Sequence, residues 1–373
     1  MKVAIIGGSI AGLSTGVALS CIGCDVDVYE WSSALLHGRG GGLVVQHEML
    51  EWMTVHGIAT MDVLSLRGVE RQFLDRNGQV ISRFPDATPF TSWDAVYHQL
   101  QGAFPIERYH LGYRCERLSE APGAVTVEFA NAESVTADLV IGADGIGSTV
   151  RAYVAPEVRP RYAGYVAWRG VIPEQQAPHH IVETLANRFT LFQGDDFHVL
   201  SYLIPGEHGE LVPGARRLNW VWYWNTDEDT ELHDMLTDTD GNTHHSSVPS
   251  GKVQPQYVDA LQKRAGALLP SVLSALVHAT PQPFVQVIFD LLCPRLFKGR
   301  VALIGDSACI VRPHTASGTS KASGDAVALA QHLQAHQFAL DRALPRWEVE
   351  RLAFAERLVH HGLRLARGSR LGV

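Results

Sequence analysis

Residues 7–12 of the sequence are GGSIAG, and a carboxylate, Glu30, follows them after enough chain for one helix and one strand. Glycines at this spacing let a strand turn tightly into a helix, whose free N–H groups and dipole then face a pyrophosphate. A carboxylate about 20 residues further on can accept hydrogen bonds from ribose hydroxyls. The pattern predicts a dinucleotide site, although Ser9 stands where a second glycine is usual. The alternative is a glycine turn in an unrelated α/β sheet.

Two later stretches again combine an apolar strand, a turn and a carboxylate. DLVIGADGIGSTVR, residues 138–151, places Asp144 and Gly145 directly after its apolar run. VALIGDSACIVRPHTASGTSKASGDAVALA, residues 301–330, places Asp306 at the corresponding point. A carboxylate there would bind ribose or ribitol hydroxyls, and the helix start after it would face a cofactor. For Asp144 the alternative is an N-cap of the following helix.

These turns need a parallel sheet to bring them together. The sequence predicts a strand over residues 2–6, a helix over 10–21 and a strand over 25–29 that ends in Glu30, which together form a βαβ unit. Residues 161–225 contain the strand patterns YVAWRGVI, FHVLSYLI and LNWVWYWN with Pro-Gly turns between them. This succession predicts an antiparallel sheet inserted as a second layer.

The expected fold class is therefore α/β. A Rossmann-like nucleotide-binding domain is assembled from discontinuous segments, with an inserted antiparallel β-sheet substrate domain and a C-terminal helical region. The expected order is a first nucleotide-binding segment at 1–70, a substrate-layer hairpin at 71–95, a second nucleotide-binding segment at 96–160, the substrate-binding sheet layer at 161–285, and a third nucleotide-binding segment with the C-terminal helices at 286–373.

Composition excludes several classes of partner. With 373 residues, 46% of them hydrophobic and 19% charged, the chain is typical of a globular protein with a sizeable core. Its formal net charge of −8 gives no electrostatic argument for binding nucleic acid or an anionic membrane. The 5 cysteines lack disulfide spacing, which indicates a reducing, cytoplasmic compartment. The paired histidines lack a plausible ligand set, so we expect no metal.

GGSIAG with Glu30, GADGIGSTVR and GDSACIVRPH, in that order, resemble the motifs of the flavin-dependent aromatic hydroxylases of the para-hydroxybenzoate hydroxylase fold. RPHTASGTSKA, YAGYVAWRG, LNWVWYWN and FTSWDAVY resemble the branch of that family that contains 2,6-dihydroxypyridine hydroxylase. The resemblance covers residues 2–357. It departs from many relatives in the helix start at residues 318–321, Gly-Thr-Ser-Lys, where an asparagine is common, and in the helix that starts around Trp93, where an arginine is often seen.

The resemblance implies a monooxygenase with non-covalent FAD. NADH or NADPH would reduce the flavin, and O₂ would form a flavin C4a-hydroperoxide that hydroxylates a small electron-rich ring of the phenolic or hydroxypyridine type. Alternatives are a related flavoprotein that performs epoxidation or decarboxylative hydroxylation, and a non-oxygenating FAD-binding redox or sensor protein. The implied partners are a small aromatic substrate and O₂, without nucleic acid or membrane, and a homodimer stays open.

The resemblance also implies which residues contact FAD. The segment from Arg39 to Gln46 would pass along one side of the flavin, and the Asp144-Gly145 turn would lie between the flavin and the reductant. The expected cofactor-binding residues are Gly7, Gly8, Ser9, Ile10, Ala11 and Gly12 at the pyrophosphate, Glu30 and Trp31 at the ribose, Gly42, Val45, Gln46, Asp144 and Gly145 as described, Asp306 at the ribitol, and Pro313, Gly318, Thr319 and Ser320 against the isoalloxazine.

The candidate catalytic residues are His314, His198 and Tyr202. His314 follows a proline beside the expected flavin and could titrate near neutral pH; its alternative role is to fix the loop backbone. His198 and Tyr202 share one face of a strand by alternation, and would either line the pocket or face outward. Arg169 and three tryptophans each have a functional and a structural interpretation. Arg169 would bind an anionic group or form a salt bridge, and Trp220, Trp222 and Trp224 would face a flat substrate or pack the sheet.

Overall fold

The computed structural model describes residues 1–36, 38 and 41–372, apart from the side chains of residues 47 and 48. The helices are α1 (Ile10–Cys21), α2 (His47–Val55), α3 (Met61–Leu64), α4 (Trp93–Gly102), α5 (Thr149–Val154), α6 (His179–Leu185), α7 (His233–Met235), α8 (Pro255–Leu268), α9 (Ser271–Ala279), α10 (Gly318–Ala335) and α11 (Leu340–Gly368). The strands are β1 (Lys2–Ile6), β2 (Asp25–Glu30), β3 (Gly42–Val44), β4 (Leu66–Arg67), β5 (Glu70–Leu74), β6 (Val80–Pro85), β7 (Pro89–Ser92), β8 (Tyr109–Leu111), β9 (Cys115–Ala121), β10 (Ala124–Phe129), β11 (Ser134–Ala137), β12 (Leu139–Gly142), β13 (Arg161–Pro173), β14 (Arg188–Gly194), β15 (Phe197–Ile204), β16 (Arg217–Asn225), β17 (Ser247–Val248), β18 (Phe284–Leu292), β19 (Phe297–Lys298), β20 (Val301–Leu303) and β21 (Cys309–Ile310).

A parallel sheet carries the three predicted turns. Its strand order is β19-β20-β12-β1-β2-β8, and every neighbouring pair except β19–β20 is parallel. β12 and β20 are buried at every residue, as expected for strands covered on both faces. The strands of this sheet come from three distant regions of the chain, which confirms the predicted fold class.

A larger sheet forms the second layer. Its main path runs β17-β18-β13-β16-β15-β14-β5-β6, so the hairpin of β5 and β6 extends the sheet through a parallel pairing of β5 with β14. The expected domain boundary at residue 285 falls inside β18, which pairs with β13. Among the described residues, no helix combines the length and the apolar character needed to cross a membrane.

The two faces of β16 have different environments. Trp220, Trp222 and Trp224 are buried in the core that the sheet shares with α8 and α9, and the Trp220 indole donates a 2.8 Å hydrogen bond to Thr280 Oγ1. Val221 and Tyr223 point to the other face, toward the parallel-sheet lobe, and line a cavity there. The tryptophans therefore pack the sheet, which is the second of the two alternatives derived from the sequence.

A buried ionic network supports the turn after β20. Asp325 on α10 accepts hydrogen bonds at 2.8 Å from both Lys321 Nζ and Arg351 Nε, and each of these side chains is less than a tenth exposed. Lys321 also donates to the Gly305 carbonyl at 3.2 Å. Burial alone would lower the pKa of Lys321, but the Asp325 carboxylate holds it above its ordinary value. The network thus joins α10, α11 and the turn that carries Asp306.

We expect Asp325→Asn to lower the free energy of unfolding by about 3–5 kcal/mol, because it leaves two buried cations without their shared carboxylate. Urea unfolding followed by circular dichroism measures the change. The control Asp259→Asn removes an exposed charge on α8 and should stay within about 0.5 kcal/mol of the unmodified protein. A similarly small change for Asp325→Asn would show that the network does not stabilise the fold.

Candidate active site

The turns after β1, β12 and β20 meet at one edge of the parallel sheet. The pairing aligns Ile6 with Gly142 and Gly142 with Leu303, so the three strands end at the same level. A Cβ atom added to Gly7 would lie 2.3 Å from the Ala143 carbonyl oxygen. Ligands bind in such sheets beyond the carboxyl ends of the strands, which makes this edge the candidate cofactor site.

The first turn leaves helix N–H groups free. Gly7 adopts a φ of +107°, and a Cβ on Gly12 would meet the Gly7 carbonyl oxygen at 1.8 Å, so both positions require glycine. Ser9 precedes α1 in an extended conformation, and its side chain makes no capping hydrogen bond. The first N–H groups of α1, from Ile10 and Ala11 onward, therefore remain available to an anionic ligand. This arrangement fits a pyrophosphate.

Glu30 and Tyr109 fix the backbone of this turn by hydrogen bonds to Gly8. The Glu30 carboxylate accepts hydrogen bonds from Gly8 N at 2.8 Å and Ser32 N at 2.9 Å, and the Tyr109 hydroxyl donates to the Gly8 carbonyl at 2.8 Å. Glycine at position 8 is explained by Tyr109, whose hydroxyl would lie 2.2 Å from an added Cβ. The next side chain, Trp31, is 64% exposed and presents a flat apolar surface beside the turn.

In the second turn, the Asp144 carboxylate is already hydrogen-bonded to the helix that follows. Asp144 accepts hydrogen bonds from Ser148 Oγ and Val150 N at the start of α5, and burial raises the pKa of Asp144. Gly145 follows with a φ of +71°. Ser148, not Asp144, is the N-cap, since its hydroxyl accepts the hydrogen bond from Arg151 N.

Arg151 connects the second and third turns, and the sequence patterns did not single it out as a site residue. Its guanidinium donates to the backbone carbonyls of Gly145 at 3.4 Å, Ser307 at 3.2 Å and Ile146. The side chain is 4% exposed. The sequence around Arg151 gives no signal that it contacts the third turn, because its partner there, the Ser307 carbonyl, lies 156 residues away.

Asp306, on the third turn, is directed into a cavity. Within the described residues its carboxylate accepts no hydrogen bond, although the side chain is open to the cavity. Surrounding protein desolvates the group and raises the pKa of Asp306, while Lys321 opposes the rise. A carboxylate without a protein donor at the wall of a cavity fits a ligand that supplies hydroxyl groups.

The cavity lies between the two lobes and has a volume of about 830 Å³, within the size range of small-molecule sites. A hydrogen bond from Gln46 Nε2 to the Ala316 carbonyl, 3.4 Å long, connects two segments of its wall. The cavity collects these predicted residues: Gly42, Val45, Gln46, His198, Tyr202, Asp306, Pro313, His314, Gly318 and Thr319.

The remaining predicted residues lie elsewhere. Ser320 is buried and donates to the Ser317 carbonyl, so it shapes the start of α10. The predicted contacts of Arg39 and Gly40 fall outside the described residues. The residues at the first two turns and at the end of β2 do not belong to the cavity lining: Gly7, Gly8, Ser9, Ile10, Ala11, Gly12, Glu30, Trp31, Asp144 and Gly145.

Two imidazole rings lie side by side in the cavity lining. The ring centroids of His198 and His314 are 5.0 Å apart and the planes are inclined by 58°. His314 Nε2 lies 2.9 Å from the Tyr165 hydroxyl, and His198 Nδ1 lies 3.1 Å from Ser369 Oγ. Tyr165 and Ser369 carry no signal in the sequence, because they lie 149 and 171 residues from their respective histidines.

Both imidazoles are neutral at ordinary pH. Burial lowers the pKa of His198 to about 4. Burial, with smaller contributions from His198 and Arg312, lowers the pKa of His314 to about 3. The expectation that His314 titrates near neutral pH is therefore wrong, because its ring is enclosed beside a guanidinium and a second imidazole.

Arg169 also lines the cavity. Its Nε atom is buried without a hydrogen-bond partner, and no carboxylate among the described residues pairs with it. The Asn219 Nδ2 atom is also buried and unpaired, while Asn219 Oδ1 accepts from Gly42 N at 2.8 Å. Tyr202 stacks on Phe90 at 4.2 Å beneath this segment, and burial raises the pKa of its phenol. Buried donors without a protein partner are available to an acceptor from a ligand or an ordered water.

Comparison with known proteins agrees with this geometry. Two family models match, one described as FAD binding domain-like over residues 162–290 and one as FAD binding domain over residues 288–361. The chain is 35% identical to the 2,6-dihydroxypyridine 3-monooxygenase of Paenarthrobacter nicotinovorans, over 94% of this chain and 87% of that protein. It is 26% identical to the 6-hydroxynicotinate 3-monooxygenase of Bordetella bronchiseptica, over 88% of this chain and 81% of the relative.

Solved structures show the same fold. The 2,6-dihydroxypyridine-3-hydroxylase from Arthrobacter nicotinovorans superposes with a TM-score of 0.92 at 34% identity, over 98% of this chain and 92% of that chain. Klebsiella pneumoniae HpxO, solved with FAD and uric acid, superposes with a TM-score of 0.77 at 24% identity, over 99% of this chain and 88% of the other.

We expect Asp306→Ala to raise the dissociation constant of FAD by about 10–100-fold, the usual range for losing a hydrogen bond to a charged group. Titration of the apoprotein with FAD, followed by flavin fluorescence, measures the constant. Asp195→Ala removes an exposed carboxylate of the same charge and should leave it unchanged. Unchanged FAD affinity in Asp306→Ala would mean that this carboxylate does not contact the cofactor.

Proposed function

This chain belongs to the FAD-dependent aromatic monooxygenases, and we propose that it hydroxylates a hydroxypyridine-type ring bound as its anion, with NADH or NADPH as reductant. The observation that carries the proposal is the buried Nε atom of Arg169, which has no hydrogen-bond partner, in a cavity that also holds two neutral imidazoles. The names of the two relatives, which act on a dihydroxypyridine and a hydroxynicotinate, support the same ring class.

The residues present fit FAD. The free N–H groups at the start of α1 suit its pyrophosphate. Glu30 ends β2 and Asp306 follows β20, and β1 and β12 lie between these two strands in the sheet. We propose that Pro313 and the start of α10 at Gly318 lie against its ring system, since both line the cavity beside Asp306. When bound, FAD supplies the activation of O₂ and the transfer of one oxygen atom to the substrate ring.

Arg169 would activate the ring by stabilising a deprotonated hydroxyl. A cation within a few ångströms lowers the pKa of an acidic group, because it favours the charged form. The deprotonated hydroxyl donates more electron density to the ring carbons, which favours attack by an electrophilic oxygen.

Apolar side chains line part of the cavity wall. Leu200, Val221, Val287 and Phe289 line the cavity on the side of the antiparallel sheet. Excluding water at this wall protects the oxygen-transfer step from competing release of hydrogen peroxide.

The described cysteines are all free thiols, which supports the cytoplasm as the compartment of this reaction.

A panel of hydroxypyridines and phenols tests the proposal. The purified protein should be yellow, and hydroxypyridines should stimulate NAD(P)H oxidation with a product about 16 mass units heavier, the mass of one oxygen atom. Exchange of a carboxyl for a hydroxyl in the product mass would instead identify decarboxylative hydroxylation. FAD binding without any oxygenated product across the panel would reject the monooxygenase function in favour of a redox or sensor role.

We expect Arg169→Met to raise the KM for a hydroxypyridine by about 10–100-fold, because it removes a charged hydrogen bond to the substrate anion. Steady-state kinetics at fixed NAD(P)H measures the change. The control Arg342→Met removes an exposed guanidinium on α11 and should not alter KM. Unchanged KM and kcat in Arg169→Met would return Arg169 to a packing role.

A further inference from the structure

A chain of hydrogen bonds fixes the proton of His198. The Gln193 side-chain nitrogen donates to the Gly194 and Phe197 carbonyls, both at 2.9 Å, so the Gln193 oxygen is the free acceptor. Ser369 donates its hydroxyl hydrogen to that oxygen at 3.1 Å. Ser369 Oγ can then only accept from His198 Nδ1, 3.1 Å away. His198 therefore carries its proton on Nδ1, and its Nε2 atom is a bare acceptor.

A second set of contacts fixes the proton of His314 and leaves a donor, where His198 leaves an acceptor. Arg312 forms a two-point ion pair with Asp290 at 2.9 and 2.8 Å, and its guanidinium lies over the Tyr165 ring, 5.4 Å from the ring centroid. The Tyr165 side chain is fully buried, and His314 Nε2, 2.9 Å away, is the only hydrogen-bond partner of its hydroxyl among the described residues, so the hydroxyl donates to that nitrogen. Burial raises the pKa of Tyr165, which keeps that hydrogen in place. His314 therefore carries its proton on Nδ1 and presents an N–H donor.

The two free nitrogen atoms serve one cavity. Both rings line it, and neither His198 Nε2 nor His314 Nδ1 has a hydrogen-bond partner among the residues that the structure describes. The ring centroids are 5.0 Å apart and Tyr223 packs against both. Both nitrogens are therefore available to a ligand that occupies this part of the cavity.

We propose that His198 and His314 select a substrate ring by the polarity of one of its edges, with His198 Nε2 accepting a hydrogen bond and His314 Nδ1 donating one. The matching ligand has an N–H donor beside a carbonyl acceptor, as in the lactam form of a 2-hydroxypyridine. This inference rests on the proposed function and specifies its substrate class. The remaining hydroxyl or oxyanion of such a ring is then free to contact Arg169.

Two rings of nearly equal shape test the assignment. In 2,6-dihydroxypyridine the lactam edge is available, whereas 1,3-dihydroxybenzene has C–H in place of the ring nitrogen. Anaerobic calorimetric titration of the FAD-loaded, oxidised enzyme measures both dissociation constants without turnover. We expect the pyridine to bind at least about tenfold more tightly, because the benzene leaves the His198 acceptor unpaired.

Substitutions of each histidine distinguish its hydrogen bond to the ligand from a structural role. Asparagine places a polar group near the imidazole Nδ1 position and glutamine places one near Nε2. His198→Asn should keep the Ser369 contact, lose the cavity acceptor and reduce the preference for the pyridine to about threefold or less. His198→Gln should restore some of that preference. His314→Gln should weaken both ligands by about tenfold and keep the preference, because both rings retain an oxygen acceptor.

The matched control is His180→Gln, an exposed histidine on α6, which should change neither constant. FAD content and melting temperature establish that each variant is folded. Equal binding of the two rings by the unmodified enzyme, binding of neither, or an unaltered preference in His198→Asn would each overturn the inference. The product-mass panel decides the proposed function separately, since hydroxylation of phenols and pyridines alike would support that function while equal affinities reject the edge selection.

Discussion

The turns that follow β1, β12 and β20 approach one another so closely that a Cβ atom on Gly7 would overlap the Ala143 carbonyl. This approach requires three parallel strands that end at the same level, and the strand register provides that. Arg151 then ties the second turn to the third, and the Lys321–Asp325 pair supports the third from behind. The cofactor surface is therefore set by backbone packing, with few side chains left to contact the ligand.

The substrate end of the molecule is organised differently. There the antiparallel sheet supplies side chains by alternation, and those of β15 and β16 that face the parallel lobe line the cavity, including His198 and Tyr223. Burial keeps the two imidazoles neutral, so their hydrogen-bonding direction depends on neighbours and not on pH. Ser369 and Tyr165 provide those neighbours. Hydrogen-bond donors and acceptors at this end are thus defined before any ligand binds.

Much of the fold could be predicted, for reasons visible in particular residues. The glycine spacing before α1 and the apolar runs of β12 and β20 are local signals, and the structure confirms the discontinuous α/β architecture that they indicated. The placement of Asp306 beside the cavity likewise followed from strand-end geometry. Local patterns could not decide between the two faces of β16, because alternation shows which residues share a face and not which face is covered. The helices α8 and α9 cover the tryptophans.

The sequence by itself determined the elements, their order and the chemical types available at each turn, since these depend on spacing within a few residues. Only the tertiary structure decided what each group does. Arg169 has no carboxylate beside it among the described residues, Asp144 is occupied by its own helix start, and His314 is enclosed so that its pKa falls to about 3. Each of these outcomes depends on burial and on partners from distant segments. Desolvation and long-range hydrogen bonds exist only once the two lobes have packed together.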